Sequence, residues 1–485
     1  MTPVSITDLV LLIPELILVS MALVLLLGAS RIQTATLATA GTVLAALAAA
    51  LTAGWLMLEP PRLGFSGMFT VDGYSQFFKV LIASALALTT LLSVKRVDNE
   101  SVRPAEYHAL LLLASTGMML AVSSLDLITL YLGLELTTLC SYVLVGIMVD
   151  KPNSNEAAIK YFLLGSFASA LFLYGIALIY GATGTTDFET IAAILSKNGL
   201  GMDPLFVVGA SLLAAGLAFK IAAVPFHAWA PDAYEGAHAP VAAYLATASK
   251  AAGLAALGRV CWAIFITPGN ELLPEVSMVL AGLAVLSIVV GSVVALAQTN
   301  IKRLLAYSSI AHAGYALLGF ISGTAAGTEA TMTYAYFYVF MTLGAFGVVI
   351  ALEDRGETLE GYQGLAVERP KTAALMLLFL LSLTGIPPTA GFVAKFVVIL
   401  SVVQEGYYAL AILAVVCSVI TAFVYLRVAV MMYMKDPEST ALSDPDKDPS
   451  SRFPLAVSAA LAVAALVTLI GGILPGILTS WAVAP

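Results

Sequence analysis

Four ionisable residues lie in the middle of long apolar stretches of this sequence. They are Glu135 in YLGLELTTL, Lys220 in AGLAFKIAAV, Lys250 in ATASKAAGL and Lys395 in AGFVAKFVV. Lysine can release its proton when it is removed from water, whereas arginine stays charged, and a nearby carboxylate stabilises the protonated lysine. These residue types predict proton transfer between buried lysines with a carboxylate partner. Ion pairs that only hold helices together are the alternative.

Two of the lysines lie beside prolines that would interrupt a helix. Lys220 precedes Pro225 in FKIAAVPFHAW, and Lys395 follows Pro387 and Pro388 in LTGIPPTAGFVAKF. Proline removes a backbone hydrogen bond, and within a membrane the freed groups are tolerated only where protein or water satisfies them. We therefore expect a broken helix at each position; an ordinary proline kink is the alternative.

Two histidines could serve as intermediate stations for protons. His227 lies just beyond the first proline, and His312 lies in SSIAHAGY. Histidine exchanges protons near neutral pH. Each is a candidate relay residue, although a histidine that only forms hydrogen bonds would give the same pattern. His108 and His238 lie near the ends of apolar stretches and are weaker candidates.

The composition shows which kind of fold must position these residues. Of 485 residues, 60% are hydrophobic and 11% are charged, against about 25% charged in soluble domains. The mean hydropathy is +0.97. Apolar runs such as 9–28 and 455–477 have the length of a membrane-spanning helix, about 20 residues, rather than that of a barrel strand. The sequence predicts an all-α polytopic membrane protein.

Several function classes are excluded or disfavoured. The net charge of −8 argues against nucleic acid as a partner. The three cysteines lie far apart, which argues against disulfides, a metal site or iron–sulfur ligation in this chain. No glycine-rich loop resembles a nucleotide-binding motif. Only Asp8 is charged before the first apolar run, so we expect that run to be a retained span rather than a signal peptide.

Apolar windows separated by polar or Gly/Pro-rich breaks predict about fourteen spans. The approximate boundaries are 9–28, 34–58, 74–94, 107–122, 126–149, 159–181, 205–229, 239–263, 273–296, 302–321, 331–352, 371–401, 406–434 and 453–480. The connections are short, so residues 1–485 form a single transmembrane domain.

The basic residues of the loops are distributed asymmetrically across this arrangement. Arg62 and Lys197 fall on one side. Thirteen fall on the other side: Arg31, Lys95, Arg96, Arg103, Lys151, Lys302, Arg303, Arg355, Arg369, Lys371, Lys435, Lys447 and Arg452. Since positive charge accumulates on the cytoplasmic side, this predicts that both termini face outward.

The two predicted broken helices are spans seven and twelve, five spans apart. An odd offset reverses the orientation, so spans 4–8 and 9–13 would be inverted five-helix repeats, an arrangement found in transporters with sites near the midplane. The predicted organisation is three N-terminal helices, two repeats and a C-terminal helix, in residues 1–106, 107–263, 273–434 and 453–480.

Four further charged residues lie within predicted spans but nearer their ends. Lys79, Arg259 and Arg427 have long side chains that could extend to the lipid headgroups. Glu15 follows Pro14 within the first span and could be an interfacial residue.

These residues and their surrounding stretches resemble those of a known family. The chain is similar to the antiporter-like membrane subunits of proton-pumping NADH:quinone oxidoreductase (respiratory complex I), and its TASK stretch, with Lys250, resembles the N-type subunits. The resemblance covers essentially the whole chain. Its most specific stretches are FKIAAVPFHAWAPDAYEGA (219–237), ATASKAAGL (246–254), LAQTNIKRLLAYSSIAHAGY (296–315) and LTGIPPTAGFVAKF (383–396).

The resemblance implies roles for individual residues. Glu135 and Lys220 would form a charge pair with Lys160 as a neighbour, and Lys250 would lead on to Lys395. His227 and His312 match positions that are protonatable or organise water. His238 is a departure, because related sequences tend to have proline there.

The resemblance also implies a setting. The chain would be a proton-translocating subunit of an enzyme in the bacterial inner membrane, with no cofactor of its own. FMN, iron–sulfur clusters and quinone would be bound by partner subunits, and neighbouring antiporter-like subunits would lie beside it. The main alternative is a subunit of a multisubunit cation/proton antiporter of the Mrp type. A third is a membrane scaffold whose charges only bind neighbours.

Overall fold

The structure is a computed structural model that describes residues 6–29, 34–99, 102–198, 203–266, 272–436, 454–476 and 480–484. This part of the chain is almost entirely helical, with one short hairpin. The elements of its first half are α1 (Ile6–Leu11), α2 (Ile13–Leu27), α3 (Ala35–Leu56), β1 (Arg62–Gly64), β2 (Phe69–Val71), α4 (Gly73–Asn99), α5 (Pro104–Val122), α6 (Leu127–Val145), α7 (Pro152–Thr183), α8 (Phe188–Asn198), α9 (Pro204–Lys220), α10 (Trp229–Gly236), α11 (Ala239–Tyr244) and α12 (Lys250–Ile264). Strands β1 and β2 pair antiparallel, with Leu63 opposite Thr70.

The regular elements of the second half, within the described residues, are all helices. Its elements are α13 (Pro274–Ala295), α14 (Ile301–Ile321), α15 (Ala325–Ala351), α16 (Leu365–Glu368), α17 (Pro370–Thr384), α18 (Ala390–Gln404), α19 (Tyr408–Met434) and α20 (Leu455–Ile473). Short 3₁₀ turns occupy Phe65–Gly67, Glu353–Arg355 and Leu359–Tyr362.

Within the described residues, eleven helices are long and apolar enough to cross a membrane. Four shorter apolar helices, α2, α9, α17 and α18, lie where the predicted spans one, seven and twelve were placed. The helices α12, α14 and α15 are buried on nearly all sides, whereas α3, α13, α19 and α20 expose apolar faces. The count of fourteen spans and the two repeats stay predictions.

The chain leaves the helical conformation at both predicted positions. Helix α9 ends at Lys220 and α10 begins at Trp229; α17 ends at Thr384 and α18 begins at Ala390. Each interruption contains a cis peptide bond, Val224–Pro225 in the first and Pro387–Pro388 in the second. Pro225 and the pair Pro387 and Pro388 lie between these helix ends, as predicted.

Backbone groups freed by the breaks find partners on nearby side chains, as buried polar groups must. The backbone N–H of Val224 donates to Ser287 Oγ at 2.9 Å. The indole N–H of Trp229 donates to the Phe219 carbonyl at 3.0 Å. At the second break the Gly391 N–H donates to Ser382 Oγ at 3.1 Å.

A further irregularity lies between α11 and α12, where Leu245–Ser249 form a π-helical turn that ends at Lys250. Such turns are rare and concentrate at functional sites. The predicted span 239–263 contains no proline after Pro240, so the sequence carries no proline signal for this turn.

The structure corrects the expectation for the charges near the ends of spans. Lys79 is completely buried and its Nζ lies 2.7 Å from Glu15 Oε1, so neither residue reaches the headgroups. Arg259 binds both carboxylate oxygens of Asp72, at 2.6 and 2.9 Å. Arg427 donates to the carbonyls of Leu296 and Gln298, which lie at and just beyond the end of α13. These side chains turn inward because partners of opposite charge or free carbonyls are available there.

Candidate functional site

The predicted pair of Glu135 and Lys220 is formed between α6 and α9. Lys220 Nζ lies 3.4 Å from Glu135 Oε1 and also donates to the hydroxyl of Thr138. The hydroxyl of Ser169, on α7, donates to Glu135. Since Lys220 is the last residue of α9, its positive charge also lies where the free carbonyls of a helix end are partially negative.

Lys250 is completely enclosed by protein and lies at the end of the π turn. Its Nζ donates to two acceptors of one residue on α14, the carbonyl of Ser309 at 2.7 Å and its Oγ at 2.9 Å. Helix α12 passes close to Lys220 because Gly253 has no side chain: a Cβ there would lie 2.8 Å from the Ile221 side chain and 3.5 Å from Lys220 Cβ. Lys250 lies three residues before Gly253, which is within one helical turn of this contact with Lys220 and Ile221.

Lys395 lies at the second break. Its Nζ donates to the carbonyl of Thr384 at 2.8 Å and to Ser418 Oγ at 3.0 Å, and it lies 4.7 Å from the centre of the Tyr315 ring. Thr384 is the last residue of α17, so the interruption of the helix supplies the acceptor. In the part of the chain that the structure describes, no carboxylate pairs with Lys250 or Lys395.

His312 lies on α14 between these two lysines. Its Nδ1 is 2.6 Å from the hydroxyl of Tyr334, and its Nε2 is 3.4 Å from that of Tyr425. Tyr425 in turn contacts Ser308, the neighbour of the serine that binds Lys250. Ser308, His312 and Tyr315 follow one another at helical spacing on one helix.

Sequence reasoning missed Ser309 and the tyrosines. A signal was present, because YSSIAHAGY places polar side chains three or four residues apart in an apolar span. Tyr334 and Tyr425 carry no comparable signal. Tyr334 lies among other tyrosines and threonines of α15, and Tyr425 lies two residues before Arg427 on α19, so neither is distinguished from its neighbours.

Two predicted site residues are not joined to this chain of contacts. His227 lies in the first break, partly buried, and its Nδ1 has no hydrogen-bond partner. Lys160 does not contact the Glu135–Lys220 pair: it is half-exposed, with Nζ 2.9 Å from both Glu156 and Asp232. The reason is distance along α7, because Lys160 lies nine residues, or about 13.5 Å, from Ser169.

None of the described residues is arranged to hold a metal ion: no group of three His, Cys, Asp or Glu side chains converges. The amines of the lysines and the imidazole of His312 can bind protons, and protein shields them from water. One carboxylate, three lysines and a histidine are side chains that can bind and release protons.

Comparison with known proteins shows the family of this chain. Residues 124–421 match the family described as NADH:quinone oxidoreductase/Mrp antiporter, TM. The chain belongs to this family. It is 44% identical to the NADH-quinone oxidoreductase subunit N of Desulfovibrio desulfuricans, over 98% of this chain and 96% of that one.

Solved structures of family members have the same fold. A chain of respiratory complex I from Thermus thermophilus is 33% identical, covers 96% of this chain and 99% of its own length, and superposes with a TM-score of 0.80. A chain of the Mrp complex from Dietzia sp. is 23% identical, with coverages of 98% and 96% and a TM-score of 0.84, and indicates the fold alone. The predicted class, an all-α polytopic membrane protein, is confirmed.

Proposed function

We propose that this chain is the N-type membrane subunit of a proton-pumping NADH:quinone oxidoreductase and that protons move through Glu135, Lys220, Lys250, His312 and Lys395. The observation that supports this most directly is the series of three lysines in a protein interior, two of them at interrupted helices. Redox chemistry belongs to partner subunits that bind FMN, iron–sulfur clusters and quinone, and neighbouring antiporter-like subunits would transmit its effect.

The hydrogen bonds suggest how the proton is handed on. Lys220 faces a carboxylate, which suits the charged ammonium. Lys250 and Lys395 each donate two hydrogen bonds to neutral acceptors, and a neutral amine has two N–H donors. When Glu135 moves away, Lys220 loses its counter-charge and its proton passes to Lys250, then by way of His312 to Lys395.

The energy involved is modest. Moving one charge through 100 mV costs about 2.3 kcal/mol, and one unit of pKa is worth about 1.4 kcal/mol. The electrostatic energy of one carboxylate and one lysine in a poorly solvated site changes by this amount when the distance between them changes.

Corresponding contacts in the two halves support the predicted inverted repeats. Asp126 caps α6 by accepting from two backbone N–H groups, and Asn300 caps α14 in the same way. Each capping residue also forms an isolated antiparallel β-bridge, through its backbone, with the segment that follows the next long helix. Asp126 pairs with Asp187, and Asn300 pairs with Thr358. The same local arrangement thus recurs once in each proposed repeat.

The placement in the cell is part of the proposal. The excess of basic residues on one side indicates the cytoplasm, so both termini would face the outside of the bacterial inner membrane. His227 and Lys160 are kept as candidates for proton transfer because of their family positions, although neither contacts the chain of lysines.

The test is substitution of Lys220 or Lys395 by methionine in the assembled enzyme. We expect proton pumping per electron to fall strongly while the complex still assembles, because methionine keeps the volume and cannot carry a proton. Lys371→Met, at an exposed lysine, is the matched control and should pump normally. Unchanged pumping in either buried variant would refute the relay, and loss of assembly with intact pumping in the surviving complex would indicate a scaffold.

The partner subunits that purify with the chain distinguish the Mrp-type alternative. Purification of the chain with its partners should yield flavin and iron–sulfur subunits. Recovery of a set of small antiporter subunits, without redox cofactors, would support the alternative instead.

A further inference from the structure

Charged side chains at the predicted cytoplasmic side form a continuous network between the two halves of the protein. Its links are Glu156–Lys160 at 2.9 Å, Lys160–Asp232 at 2.9 Å, Asp232–Arg303 at 2.7 Å, Arg303–Glu235 at 2.7 Å, Glu235–Asn300 at 3.3 Å, Asn300–Glu357 at 3.2 Å and Glu357–Lys302 at 2.7 Å. The relay described above uses none of these contacts.

Asp232 occupies the central position of this network. It lies on α10, the helix that follows the first break, and it binds a cation on each side: Lys160 of α7 and Arg303 of α14. The neighbouring residues strengthen the contact with α7, because the rings of Tyr161 and Trp229 stack with their centres 4.4 Å apart. Helix α10 is therefore held between α7 and α14.

Each of the two cations lies on a helix that reaches the relay. Lys160 precedes Ser169, which binds Glu135, by nine residues, or about 13.5 Å of helix. Arg303 precedes Ser309, which binds Lys250, by six residues, or about 9 Å. The start of α10 is also bonded to the end of α9, because the indole N–H of Trp229 donates to the carbonyl of Phe219, the residue before Lys220.

The charge of Asp232 is well stabilised. Burial alone would raise the pKa of this carboxyl, but hydrogen bonds and charges from Arg303 and Lys160 outweigh burial and hold the pKa below its ordinary value. Asp232 is thus ionised at neutral pH, and it is suited to holding two cations rather than to carrying protons.

We propose that Asp232 is a positioning residue: by binding Lys160 and Arg303 together, it fixes the Glu135–Lys220 pair relative to Lys250. On this proposal Lys160 acts through Asp232, and this role replaces the proton transfer for which its family position made it a candidate. This inference rests on the proposed relay and adds the element that keeps its first two lysines in register.

The test is Asp232→Asn in the assembled enzyme, with protons pumped per electron as the readout. We expect the yield to fall by about twofold or more, the range in which coupling through a network responds to substitution. Asp232→Glu, which keeps the charge, should restore most of the yield. Glu156→Gln is the matched control: it removes a carboxylate from the same Lys160 but no link between helices, and it should pump normally.

A second measurement separates positioning from general stability. Lys160→Met should lower the yield in the wild-type background and have no further effect in the Asp232→Asn background. Independent, additive losses would overturn the proposal, as would normal pumping in Asp232→Asn or equal losses in Glu156→Gln. If Asp232→Asn does not assemble, Lys160→Met alone decides, because normal pumping in that variant contradicts the proposed link.

The proposed relay and the positioning role of Asp232 can be refuted independently. Normal pumping in Lys220→Met would refute the relay itself. Loss of pumping in Lys220→Met, together with normal pumping in Asp232→Asn, would leave the relay standing and refute only the positioning role.

Discussion

The three lysines of the site differ in their partners, and in the proposed relay this difference separates Lys220 from the other two. Lys220 is held by a carboxylate and a hydroxyl, whereas Lys250 and Lys395 are held by carbonyls and hydroxyls. A lysine opposite a carboxylate stays charged until that partner moves, while a lysine among neutral acceptors can accommodate both protonation states. In the proposed relay, Glu135 is therefore the residue whose displacement would start proton transfer.

A second buried pair, Glu15 and Lys79, allows a prediction at the level of residues. Removing one member of a buried ion pair leaves an unpaired charge and costs about 3–5 kcal/mol, whereas replacing both is often neutral. We expect Glu15→Gln to lower the thermal stability of the purified complex, and the double variant Glu15→Gln/Lys79→Met to recover it. Glu59→Gln, in the exposed pair with Arg62, is the control and should change little. A double variant as unstable as the single one would contradict the prediction.

At the level of elements, the prolines made both helix breaks predictable, because proline has no backbone N–H and restricts the chain locally. The π turn before Lys250 has no such residue and was not foreseen. The pairing of charged side chains was harder still to predict. Glu15 and Lys79 are 64 residues apart, and only the packed fold brings them together. The same holds for Lys160 and Asp232, which are 72 residues apart and lie on α7 and α10.

Helix α13 provides a prediction for the first break. Ser287 accepts the N–H of Val224 there, and an unsatisfied buried N–H costs about 1–3 kcal/mol. We expect Ser287→Ala to lower the unfolding midpoint and to weaken proton pumping. Ser292, on the same helix, is equally buried and its hydroxyl has no hydrogen-bond partner. Ser292→Ala should therefore be nearly neutral, and equal effects of the two substitutions would argue against a role for the Ser287 hydroxyl.

At the level of the whole molecule, the direction of proton movement depends on the orientation of the chain, which follows from the predicted fourteen spans. With both termini outside, Lys197 would face the outside and Lys371 the cytoplasm. Both side chains are exposed, and the native cysteines are buried. We expect a membrane-impermeant thiol reagent to label Lys197→Cys in intact cells and Lys371→Cys only after permeabilisation. The unsubstituted chain is the control for background labelling. Labelling of both positions from the same side would mean an even number of spans between them, and the inverted repeats could not then stand as proposed.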